Sequence, residues 1–225
     1  LTISSPEIEL YLDDGLLGRL VAFSSPNGSG TPSRSSVPQP VAVGEDFELT
    51  ADSLDISLPD EVMEKIFAAG QARSISSARD SLNVDLLPEI AKSDWLEGDT
   101  IIVTFEPNAP APSEGRATTD TSEPDYRIEK IVARVGARSL YRLIPSDTTA
   151  LPGIDAPAIH YVTGDEITII MNEGEADQLE VQGRTRGFHL EPLSLSELDS
   201  LAVDSTAIDT LVAARPSTMR DTGTK

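Results

Sequence analysis

The chain contains no cysteine, which removes disulfides, a thiolate nucleophile and Cys-ligated metal at once. Only two histidines are present, His160 and His189, and neither has a second His or a Cys at ligand spacing. With no Gly-x-Ser-x-Gly elbow and so little choice of general base, serine hydrolysis is not supported. Aromatic residues make up 4% of the chain, so a core must be built from Val, Ile, Leu and Ala. Positive charge is scarce as well: 17 Lys and Arg stand against 38 Asp and Glu, a formal charge of −21. That balance repels nucleic acid and an anionic membrane surface, and suits either plain solubility or a basic partner. No run approaches the roughly 18 uncharged apolar residues of a membrane-spanning helix. The chain opens on Leu1, with no Met and no signal-like segment before it, as in a processed export product or an arbitrary boundary.

What is present is a phrase written three times. "EGDTIIVTF" (97–105) and "TGDEITIIM" (163–171) place Gly-Asp before an apolar alternation, and "TADSLDISL" (50–58) does so with Ala in place of Gly. Asp52, Asp99 and Asp165 open the three copies, 47 and 66 residues apart. Each is followed by a Gly-and-basic marker at Gly70, Gly136 and Gly183, at distances of 18, 37 and 18. The middle copy is therefore 19 residues too long, and removing them from 66 returns 47. The surplus is visible as the Pro, Ala, Ser, Thr and acid run 106–125, which reads as an inserted loop. A degenerate fourth copy, with Ile8, Leu10 and Leu12 alternating before a turn at 13–15, starts the chain, and a Pro/Gly/Ser-rich loop over 25–46 follows it.

Period-two alternation with turn residues at the ends predicts one buried and one wet face, hence antiparallel hairpins. The fold class is all-β: repeated hairpins forming an open β roll of jelly-roll type over 1–192. A C-terminal extension, a short helix or extended segment, is expected over 193–214, where Leu198, Leu201, Ile208, Leu211 and Val212 form a stripe. A disordered tail is expected over 215–225. Residues 81–93 are a second candidate for a short helix, interrupted at Pro88.

The apolar positions Leu54, Ile56, Leu58, Ile101, Val103, Phe105, Ile167, Ile169 and Met171 are core in every reading, and alternation leaves open whether that core closes or forms a groove. The repeated Asp52, Asp99 and Asp165, with the repeated Arg73, Arg138 and Arg186, suggest a polar ladder between rungs. The Asp would cap strand entries by accepting backbone N–H bonds. A row of Arg gripping an acidic ligand or lipid phosphate is the sharper alternative. The acidic turns "DDG" (13–15) and "NEGEAD" (172–177) lack the spacing of a calcium loop, and "NGSGTPS" (27–33) lacks the Lys of a phosphate loop. Trp95, the only tryptophan, reads equally as core or as an interface anchor.

With "TADSLDI" (50–56), "IFAAGQARS" (66–74), "DWLEGDTIIVTF" (94–105), "IVARVGARS" (131–139) and "GDEITIIMNEGEADQLEVQG" (164–183), the chain resembles the OstA-like domains of the LptA/LptC lipopolysaccharide-transport superfamily. The resemblance covers most of residues 5–190. It implies an open β-taco or β-jelly roll whose inner apolar faces hold acyl chains and whose ends stack on like domains. It also implies a periplasmic envelope protein without enzymatic activity or cofactor, associated with a membrane through a partner or a removed N-terminal anchor. Its partners would be other envelope or membrane proteins, met end to end through sheet edges, and a lipid ligand, with no nucleic acid. The insertions and the charge of −21 depart from the simple pattern, since net negative charge opposes a phosphate-bearing lipid. A second reading makes the same roll a scaffold subunit docked on a larger membrane-associated complex.

Overall fold

The computed structural model describes residues 1–24, 38–44, 47–76, 83–85, 87–106, 126–145, 156–172 and 175–192. Twelve strands follow the alternation read from the sequence: β1 (Thr2–Ser4), β2 (Glu7–Asp13), β3 (Leu16–Phe23), β4 (Val41–Val43), β5 (Phe47–Thr50), β6 (Ser53–Ser57), β7 (Lys65–Ser76), β8 (Asp94–Glu106), β9 (Arg127–Leu143), β10 (Ala158–Asn172), β11 (Glu175–Gln182) and β12 (Arg186–Leu190). Every ladder is antiparallel, and the sheet stays open.

Four long strands, β7 to β10, form the spine, and each changes partner or register near its middle. Residues 65–69 of β7 pair with β6, whereas 73–76 pair with β5. Likewise β10 pairs with β12 through 159–163 and with β11 through 166–172. The ladder system therefore divides into two leaves. Leaf A contains β2, β3, β6, the far halves of the spine strands and β11; leaf B contains β1, β4, β5, the other halves and β12. Residues of both leaves pack into one core, with Leu54, Ile56, Ile66, Ile101 and Ile167 from leaf A against Ala42, Leu49, Ala72, Leu96 and Ala137 from leaf B. Two facing leaves joined through continuous strands are the expected open roll.

The repeated phrase marks the corner between leaves. The ladders are irregular between Ala69 and Ala72, between Glu97 and Thr100, and between Gly164 and Glu166. On the return strands the corners carry positive φ at Gly70, Gln71, Val135, Gly136 and Gly183. Asp and marker Gly meet there. Asp52 donates its N–H to the Gly70 carbonyl at 2.9 Å, and a Cβ on Gly70 would fall 2.7 Å from Asp52 Cβ. A Cβ on Gly183 would fall 2.5 Å from Asp165 Cβ. In these two copies, then, the Asp lies directly over the Gly of the neighbouring strand, which has to lack a side chain.

Three expectations need correction. Val41–Val43, inside the range 25–46 read as loop, is a strand bridging β1 and β5, because a Val-Ala-Val triplet with two β-branched residues pairs the free edge of β5 on one side and β1 on the other. Glu106, read as the first residue of the inserted loop, instead ends β8 opposite Arg127. Residues 81–93 hold no α-helix among those described: Pro88 starts only a single 3₁₀ turn, Glu89–Ala91. The remainder of the insertion (107–125), most of the 25–46 loop, and the C-terminal segments 193–214 and 215–225 lie outside the described residues.

Candidate functional site

In leaf A, strand pairing aligns inward side chains into cross-strand rows. One row runs Leu10, Leu20, Ile56, Ile66, Val103, Ile131, Ile169 and Leu179. Its middle is dry, with Ile66 at 0% exposure, and its ends are wet, with Leu10 at 59% and Leu179 at 36%. Of the nine apolar positions singled out from the sequence, Leu54, Ile56, Ile101, Val103, Phe105, Ile167 and Ile169 are buried in the closed core, and Leu58 and Met171 pack partly buried against it.

The leaves part at the β10–β11 end. There a cleft of 230 Å³ opens between Ser139, Tyr141, Leu143, His160 and Val162 of leaf B and Ile169 and residues 176–179 of leaf A. Its floor, Val162 and Ile169, belongs to the main core, so the cleft is a mouth leading into that core. At the rim His160 meets His189 of β12 edge to face, ring centroids 5.9 Å apart. His189 Nε2 lies 2.8 Å from Glu191 Oε1. The chemistry of this mouth is apolar contact with a polar rim, suited to holding the end of an aliphatic group. Among the described residues, no group of three His, Cys, Asp or Glu side chains is placed to hold a metal ion.

The repeated polar residues occupy the other side of leaf B. Thr50, Arg73, Glu97, Arg138, Thr163 and Arg186 are consecutive partners in one outward row. Glu97 joins two of the arginines, 3.4 Å from Arg73 and 2.9 Å from Arg138. The repeated Asp side chains take different partners, because the corner turns them over the marker glycines. Asp52 accepts from Gln39 at 3.0 Å. Asp165 accepts from the side chain of Arg184 at 2.8 Å and from its backbone N–H at 3.3 Å. Those bonds, the side-chain bond first, hold the Asp165 carboxyl below its ordinary range and raise Arg184. Asp99 is exposed at its corner.

Beside the Arg row runs an outward apolar row, Ile75, Trp95, Leu140, Tyr161 and Phe188. Trp95 is buried in this second cluster under Ala91, and its indole N–H donates to the Ile90 carbonyl at 2.8 Å. A buried ion pair fastens the covering segment: Arg142 Nε reaches Asp94 at 2.7 Å and Arg142 Nη1 donates to the Lys92 carbonyl at 2.6 Å. Sequence reading missed the mouth residues Tyr141 and Leu179, and weighed His160 only as a metal ligand or general base. The signal available was the parity of β9 and β10 beyond their corners, which a reading of the alternating phrases alone does not follow.

No protein-family profile matches the chain, and no curated protein does. Among solved structures it is similar to LptH, the LptA-homologous periplasmic component of the lipopolysaccharide transport device of Pseudomonas aeruginosa. That likeness has a TM-score of 0.44 and 12% identity, and covers 85% of this chain and 94% of that one.

Proposed function

We propose that the protein is a non-catalytic periplasmic component of the cell envelope that binds or bridges a lipid of lipopolysaccharide type by taking acyl carbons into the mouth between β9, β10 and β11. The carrying observation is the cleft itself, open to solvent at Leu179 and continuous with the dry core at Ile169 and Val162. Its 230 Å³ falls below the roughly 300–1,000 Å³ typical of small-molecule pockets. The mouth therefore takes the end of a chain, and the headgroup stays outside. That division suits a protein of charge −21, which repels an anionic headgroup over most of its surface. The non-enzymatic part of the reading rests on the sequence, which offers two histidines, no cysteine and no nucleophile motif.

Photo-crosslinking in the full chain tests this. A benzophenone side chain at Leu179 or Tyr141 should capture acyl lipid, while one at Ile101, in the closed middle, should not. Apo protein only by native mass spectrometry, with no lipid adduct at either mouth position, overturns it.

A second reading has its own observation. Edge strand β2 presents Ile8, Leu10 and Leu12 to solvent along the face that is buried elsewhere in leaf A. Such an edge is a template for strand addition, and supports an accessory subunit docked on the periplasmic face of a larger membrane complex. A stable membrane-protein complex recovered with the wild type but lost with Leu10→Lys would favour this reading.

A further inference from the structure

The two histidines lie far apart in sequence, and the β10–β12 ladder sets them directly opposite each other. Opposed residues on antiparallel strands have Cβ atoms about 4.5–5.5 Å apart, so both imidazoles rise from one small area at the rim of the mouth. Both are exposed, His189 with 43% of its side chain open, and an ion reaches them without the roll opening. Among the described residues His160 has no hydrogen-bonded or charged partner; its one contact of note is the ring of His189.

The ring centroids are 5.9 Å apart. Two imidazoles bound to one ion, at about 2.0–2.1 Å per nitrogen, have centroids roughly 5–6.5 Å apart according to the angle at the ion. The backbone therefore already holds the rings at chelating separation. Their edge-to-face arrangement needs one ring to turn about χ2, a soft torsion, for the lone pairs to converge. Glu191 prepares the second ligand. An ionised carboxylate only accepts, so His189 Nε2, 2.8 Å from Glu191 Oε1, carries the proton and Nδ1 carries the lone pair. A carboxylate behind a ligating imidazole fixes its tautomer and raises its basicity, which is why metal sites so often have one. The field agrees in sign: the cleft lining contains Asp177 and no Lys or Arg, in a chain of charge −21.

We propose that His160 and His189 chelate a divalent transition ion of the imidazole-preferring class, Zn(II), Ni(II) or Cu(II), with Glu191 orienting His189. Two protein ligands are fewer than the group of three that would enclose an ion, so water completes the shell. Imidazole nitrogen selects these ions over Mg(II) and Ca(II), which take oxygen ligands. Among the described residues β12 is a five-residue strand paired with β10 alone, and the chelate fastens it to that neighbour at the edge of leaf B. The site is independent of whether acyl carbons enter the mouth.

Two histidines and no cysteine in the whole chain make the test direct. Zinc chloride is titrated into the full chain at neutral pH, with excess magnesium chloride occupying surface carboxylates. The ring nitrogen signals of both histidines should move together in a long-range proton–nitrogen spectrum and saturate at one ion per chain. His160→Ala and His189→Ala should each weaken zinc binding by at least the about 10–100-fold typical of losing a partner behind a ligand. Glu191→Gln should weaken it several-fold with the stoichiometry unchanged. Zinc should also raise the melting temperature of the wild type. That increment, taken against each variant's own metal-free melt, should vanish in both single-histidine variants, so any cost of the substitution itself drops out. The proposal is overturned if one histidine responds alone, or if either alanine variant keeps the wild-type affinity. Saturation at one ion per two chains also overturns it, since the metal would then lie between copies.

Discussion

Leu10, Ile66 and Leu179 lie in one cross-strand row and obey the same alternation, yet only Ile66 is dry. What differs is the leaf opposite. Over the middle, leaf B contributes Ala42, Ala72 and Ala137, whose small side chains let the leaves approach. Opposite β11 it contributes Ser139, Tyr141 and His160, which hold the leaves apart with larger or polar groups. Among the described residues, the strand that ends leaf B on the same side as β2 is the three-residue β1, too short to cover seven residues. Alternation in one strand thus fixes which way a side chain points, and the partner leaf fixes whether water reaches it.

The largest effect should come from the outer clamp of the closed half. Asp94→Asn breaks the buried ion pair with the Arg142 guanidinium, which should cost about 3–5 kcal/mol in urea unfolding. Ile101→Ala in the closed middle should cost about 2–5 kcal/mol through lost burial and a residual cavity. Leu179→Ala, the same kind of truncation at the mouth, should stay below about 1 kcal/mol while reducing acyl-lipid crosslinking from Tyr141. Equal destabilisation by Ile101→Ala and Leu179→Ala would erase the distinction between middle and mouth.

The corners sharpen the comparison. Gly70→Ala forces a side chain into Asp52 at a φ of +80°, and should destabilise by about 1–3 kcal/mol. At the middle copy the left-handed position before Gly136 is held by Val135, exposed and β-branched at φ +63°. Val135→Asn should therefore stabilise by about 1 kcal/mol, because Asn tolerates that conformation. A neutral or destabilising result in thermal melts would show that Val135 contributes contacts outweighing its strain.

The rungs of this fold were legible in the sequence because strand alternation and turn residues are local signals. Asp52 with Gly70, and Asp165 with Gly183, were legible as markers at a fixed distance of 18, though not as one corner, since contact across strands has no local signature. The Arg row was legible as a spacing. Its partner Glu97 was hidden, because it stands two residues before the Asp that the repeat points to, and only the register places it between Arg73 and Arg138. The mouth was least legible. Tyr141 and His160 meet β11 only through the way the leaves separate, which depends on side-chain volumes across the core.

The smallest effect distinguishes the two Asp–Gly corners electrostatically. Asp52 bonds the neutral amide of Gln39, whereas Asp165 is held by the cationic Arg184. The Asp165 carboxyl is thereby depressed below its unfolded value, so around pH 4 and below the unfolded chain binds more protons at this site. The stability contributed by the pair is complete above the ordinary Asp range and is lost as pH falls through the depressed value. The pair is open to solvent, so the contribution is small and screened by salt. Melting temperatures of the wild type and Arg184→Gln should differ slightly and constantly at neutral pH, then converge on acidification into the carboxylate range. A difference that persists after Asp165 is protonated would mean that Arg184 supports the β11–β12 corner by packing, and that the two corners differ in shape rather than in charge.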